Sequence, residues 1–154
     1  MPVALRSIGF DPSPADAAFV ARCRAALEVV QRDLDATGYG EYQMRPTPPG
    51  GWPVSVHAAL PDGSYWSGAW PMTRDMDDAA MLFNAAAGVS GTIEEVREIQ
   101  WPVCAAHGDI PLPSPLYGEE LVEIIGEVVQ WWCPRAEHVL ASVGQLTASI
   151  ARTP

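Results

Sequence analysis

Prolines and glycines set the limits on what this chain can fold into. Residues 41–53 hold Pro46, Pro48, Pro49, Gly50, Gly51 and Pro53, and residues 108–118 hold Pro111, Pro113 and Pro115. A proline ring fixes φ and removes an amide donor, so neither stretch suits the interior of a helix or a paired strand. Both read as loops, and they leave three segments in which regular structure can form.

The first segment predicts a helix. After Asp11 and Pro12, Ser13 is a good N-cap, Pro14 suits the first helical position and Asp16 falls at the capping-box carboxylate. Val20, Cys23, Leu27, Val30 and Leu34 then recur at spacings of 3, 4, 3 and 4, one face of a helix. Arg24, Glu28, Gln31, Arg32 and Asp35 take the other side, and Gly38 and Gly40 stop it. Cys23 belongs to the apolar stripe and is expected to be an inert core thiol.

In the middle segment, Trp52–Leu60 and Ser64–Trp70 flank Pro61-Asp62-Gly63, a favourable turn, and predict a β-hairpin. His57 alternates with Val56 and Ala58 and so falls on the polar face as a solvated side chain. Two short helices are expected next, starting near Asp75 and Thr92. The first carries Met76, Ala79, Ala80, Phe83 and Ala87 and breaks at Gly88; the second pairs Thr92 with Glu95 in capping-box spacing. Asp75, Asp77 and Asp78 crowd the first helix start, where capping and the helix dipole favour carboxylates.

The final third contains three β-branched runs, Leu121–Ile125, Val128–Cys133 and His138–Val143, separated by Gly126-Glu127 and by Pro134. A three-stranded antiparallel meander is the expected arrangement. The fold class is therefore α+β, one compact domain over residues 1–154, with a C-terminal subunit at about 92–146. Trp131 and Trp132 should point to opposite faces of their strand, one inward and one toward a neighbour.

With 154 residues and 48% hydrophobic content, the chain can bury a core without staples. All 9 basic residues are arginine, against 19 acidic ones, for a net charge of -10. No lysine exists to form a Schiff base or to sit under a nucleotide's phosphates. The charge also disfavours nucleic acid and anionic membranes as partners. No basic-then-apolar leader and no apolar run of membrane-spanning length stand in the sequence, so the expected location is cytoplasmic. Between Arg97 and Arg135 there is no basic side chain, while Glu98, Asp109, Glu119, Glu120, Glu123 and Glu127 all lie there. A polar partner docking on that stretch is expected to bring positive charge.

The chemistry-bearing pattern is Cys104-x2-His107, 25 intervening residues, then Cys133-x4-His138. Two thiolates and two imidazoles are the donor set of a tetrahedral zinc site, here a closed structural one with zinc-ribbon-like turns. His57 is an alternative to His138 if the hairpin packs nearby. The three cysteines, an odd number widely spaced, fit free or metal-bound thiols rather than a disulfide framework. No nucleotide-loop, nucleophile-elbow or metalloprotease pattern occurs, and no residue is assigned a catalytic or organic-cofactor role. A Cys104 nucleophile served by His107 or His138 is the chemical alternative.

Trp101-Pro102-Val103-Cys104-Ala105-Ala106-His107, then Trp132-Cys133-Pro134 and Val143-Gly144-Gln145-Leu146, resembles a group of small uncharacterised actinobacterial proteins carrying a Trp-Pro-x-Cys-x2-His … Trp-x-Cys-Pro block. The resemblance spans residues 92–146 and implies a folding unit without an assigned activity. Ala105 stands where that group more often has proline. The expected function is a non-catalytic, acidic protein–protein interaction module or small regulator that neutralises a basic partner. A small hydrolase or thiol enzyme, or a self-associating structural assembly subunit, is the alternative.

Overall fold

The computed structural model describes residues 14–46, 54, 56–67, 71–107, 121–133 and 138–148. The elements run α1 (Pro14–Ala36), β1 (Gln43–Pro46), β2 (Val56–Ala59), β3 (Tyr65–Ser67), α2 (Asp78–Arg97), β4 (Val122–Ile125), β5 (Val128–Cys133) and β6 (His138–Ser142). Among the described residues two antiparallel sheets form, β1-β2-β3 and β4-β5-β6. The class is α+β, as the sequence predicts.

The stripe on α1 is buried as its spacing requires, with Cys23, Leu27, Val30 and Leu34 all at 1% exposure or less. Gly38 ends the helix at φ 89°, and the Tyr39 amide donates back to the Leu34 carbonyl at 2.8 Å, a Schellman closure. The predicted N-cap Ser13 lies outside the described residues.

Two corrections concern the middle segment. Gln43–Pro46, expected to be loop, is a strand paired with β2 in the register Gln43↔Ala59 to Pro46↔Val56. Pro46 is tolerated because β1 is an edge strand. The two short helices are one helix of 20 residues, running through Gly88 with Thr92 inside it. Glycine costs a helix interior about 1 kcal/mol relative to alanine. Burial offsets this cost, for the whole run Ala85-Ala86-Ala87-Gly88-Val89-Ser90 is buried. A helix enclosed on all sides needs small side chains so that neighbours can approach, and α2 touches α1, β2, β4 and β5. Its start behaves as expected: Asp77 is the N-cap and accepts from the Ala80 amide at 2.7 Å.

The C-terminal meander matches its prediction closely. Along β5, Val129, Trp131 and Cys133 are buried while Val128, Gln130 and Trp132 are not, so Trp131 enters the core and Trp132 faces the other side. Trp101 and Trp131, both fully buried, meet edge-to-face with centroids 5.1 Å apart. Each indole N–H reaches the C-terminal end of α1 or the turn after it: Trp131 donates to Asp33 Oδ2 at 2.7 Å and Trp101 to Thr37 Oγ1 at 3.0 Å. The amides of Gly144 and Leu146 donate to the same Asp33 carboxylate at 2.6 and 2.8 Å. Gly144 has φ 90°, and a Cβ there would sit 2.7 Å from Val29 Cγ1, so glycine is needed for both conformation and space.

Candidate metal centre

Cys104 and His107 belong to the turn that follows Trp101. That indole is locked between Thr37 and Trp131, and its carbonyl accepts from Ser90 Oγ at 2.5 Å, so the turn starts from a fixed point in the core. The His107 amide donates to the Cys104 carbonyl at 3.2 Å, closing the turn and bringing both side chains to one side. Cys133 ends β5 on the same inward face as Trp131, and its partner across the ladder is His138, the first residue of β6. Residues directly opposite on neighbouring strands have Cβ atoms about 5 Å apart. The x4 spacing thus becomes a cross-strand pair flanking the β5–β6 connection.

The four donor atoms all lie within 4.8 Å of one another. His107 Nδ1 is 3.2 Å from Cys104 Sγ and 3.5 Å from Cys133 Sγ, and His138 Nε2 is 3.6 Å from Cys104 Sγ. In a tetrahedron with Zn–S of about 2.3 Å and Zn–N near 2.0 Å, the S···N edge is about 3.6 Å. The cluster is the size of that tetrahedron. One imidazole nitrogen within 3.5 Å of two sulfurs cannot hydrogen-bond well to both, whereas a cation at the centre satisfies all four lone pairs. Both thiols are buried and both imidazoles are half-buried. Cys104, His107, Cys133 and His138 are thus positioned to chelate a metal ion.

The other predicted groups lie elsewhere. His57 is in the first sheet, opposite Arg45 and Ser67, with its ring 4.7 Å from that of Tyr65, and it does not join the cluster. Cys23 sits on α1, where burial pushes its thiol up to about 11 and keeps it protonated. A groove of about 320 Å³ between α1 and α2, lined by Arg22, Ala25, Ala26, Val29, Met81 and Leu82, includes none of the four ligands. Among the acidic residues of 98–127, Asp109, Glu119 and Glu120 lie outside the described residues. No helix among the described residues is long and apolar enough to cross a membrane.

Sequence reasoning passed over Asp33. Its carboxylate is fully buried and gathers three N–H donors from the second sheet and the turn after it. Burial raises its pKa above the ordinary carboxylate value, and the three donors pull it partly back. The signal was present, since Asp33 stands three residues after Val30 on the stripe that faces inward.

No family model, curated protein or solved structure matches this chain.

Proposed function

We propose that the chain is a non-catalytic structural domain, a small binding or assembly subunit whose C-terminal sheet is fastened to the α2–β4 connection by a tetrahedral zinc ion. The convergence of Cys104, His107, Cys133 and His138 carries this reading. Four protein ligands leave no open coordination position for substrate or water, which supports a structural site over a catalytic one. Three free cysteines support residence in a reducing compartment.

The thiol-enzyme reading draws on the 3.2 Å between Cys104 and His107. It is less well supported because Cys104 is buried and His107 Nδ1 also lies 3.5 Å from Cys133 Sγ. Metal analysis of tag-free protein purified without added metal tests the proposal. About one equivalent of zinc is expected, and cobalt substitution should give tetrahedral ligand-field and thiolate charge-transfer bands. Less than about 0.2 equivalents, with rapid alkylation of Cys104 by iodoacetamide, overturns it.

A further inference from the structure

The second sheet ends on β4, which pairs with no strand but β5 among the described residues. Edge strands in proteins are ordinarily blunted by shortness, by charged side chains, by proline or by an inward charge. β4 reads Val-Glu-Ile-Ile, four residues with one carboxylate, so any strand that adds to it is short and meets a negative charge. Its end is apolar and open on both faces: Ile124 is 39% exposed, Ile125 58%, and Val128, opposite Ile125 on β5, 50%. Glu123 and Glu127 lie on the same hairpin, with the Glu123 carboxylate accepting from Gln130 at 3.3 Å.

We infer that the free edge of β4 is a docking site for an extended segment of another protein, which adds as a fourth strand beside Val122–Ile125. The guest carries arginine or lysine opposite Glu123 and β-branched or aromatic residues opposite Ile124 and Ile125. Main-chain hydrogen bonds along the edge supply affinity and the alternate side chains supply selectivity. Charge decides the kind of partner. The chain is at -10, and a second copy paired through this edge would set its Glu123 and Glu127 among those of the first. Size points the same way: three or four aliphatic side chains expose at most a few hundred Å², against about 800 Å² per partner in a stable dimer. A short basic strand fits this edge and a second protomer does not. The inference rests on the binding role proposed above and not on the metal.

The test uses the full chain, with zinc content measured on the same sample, and two capped octapeptides of alternating valine and threonine. One peptide has a central arginine and the other has glutamate in its place. Addition of the arginine peptide should shift the amide resonances of residues 122–125 most, and raising the salt should weaken binding. The glutamate peptide should bind about tenfold more weakly, and Glu123→Lys should invert that preference. Ile125→Asp, at an exposed position that leaves the fold intact, should abolish both effects. Equal binding of the two peptides, shifts centred away from β4, or a dimer in sedimentation that Ile125→Asp dissolves would each overturn the inference. Failure in a zinc-loaded sample leaves the metal reading standing, and binding by a zinc-free sample removes the metal reading while leaving this one.

Discussion

Replacing Asp33 tests how the two halves of the fold are joined. Its fully buried carboxylate accepts from Trp131 Nε1 and from the amides of Gly144 and Leu146, at 2.7, 2.6 and 2.8 Å. Asp33→Ala leaves three donors facing a small cavity. Each buried donor left without an acceptor costs about 1–3 kcal/mol, or about 3–9 kcal/mol for the three. The desolvation of the carboxylate, which already raises its pKa, is relieved at the same time and keeps the total near the lower end of that range. We therefore expect a loss of about 3–5 kcal/mol for Asp33→Ala. Asp33→Asn keeps one acceptor oxygen and turns an amide toward the remaining donor, for a loss of about 2 kcal/mol. Urea unfolding followed by tryptophan fluorescence measures both. The indole N–H resonance of Trp131 should move in each variant, while that of Trp101, bonded to Thr37, should move less.

The pH dependence has a definite sign. Because burial raises Asp33 above 3.8, the native state holds its proton to higher pH than the unfolded chain does. The part of its contribution that is linked to the proton is therefore fully present below the unfolded value and is lost as pH rises through the folded one. The margin of the wild type over Asp33→Asn should narrow from about pH 4 upward, by at most about 1.4 kcal/mol per pH unit. A loss under about 1 kcal/mol for Asp33→Ala, or a margin that widens with pH, refutes the account of Asp33 as a linchpin of the fold.

Three further outcomes are expected. Cys133→Ser or His138→Ala should lower zinc affinity at least tenfold in competition with a chelator, and chelation of the wild type should lower its melting temperature while leaving that of Cys133→Ser unchanged. Gly144→Ala combines a φ of 90° with a 2.7 Å approach to Val29 and should cost about 2–4 kcal/mol in chemical denaturation. Cys23, with its thiol raised to about 11, should resist iodoacetamide at pH 8 in the native protein and react only at the rate of unfolding, as mass spectrometry of the labelled peptides would show.

Local signals carried much of the fold. The 3.6-residue period of Val20 to Leu34 and the β-branched runs of the meander each encode their element in a few residues and form where expected, and of the carboxylates Asp75, Asp77 and Asp78 that marked the start of α2, Asp77 is the one that caps it. Gln43–Pro46 escaped because a four-residue edge strand next to a proline-rich stretch draws its pairing from β2 and not from its own sequence. The single helix α2 escaped because Gly88 is a breaker by propensity and a spacer by packing, and only the second property depends on the neighbours. At the metal centre, the spacing gave the donor types. It could not give the cross-strand pairing of Cys133 with His138, which made His138 rather than His57 the fourth donor. Asp33 was hidden by the expectation that charged residues lie outside, and its partners are more than ninety residues away in sequence.

The paired indoles have a thermodynamic consequence. Trp101 precedes Cys104 by three residues, Trp131 precedes Cys133 by two, and both indoles reach the C-terminal end of α1 or the turn after it. Metal binding that fixes the two cysteines also fixes the two rings, so seating α1 and filling the centre become linked equilibria. Linkage is reciprocal: whatever factor the metal adds to the docking of α1, a secure α1 returns to metal affinity. Asp33 touches no ligand, yet its replacement should weaken zinc binding, by at most the factor by which zinc favours the docking of α1.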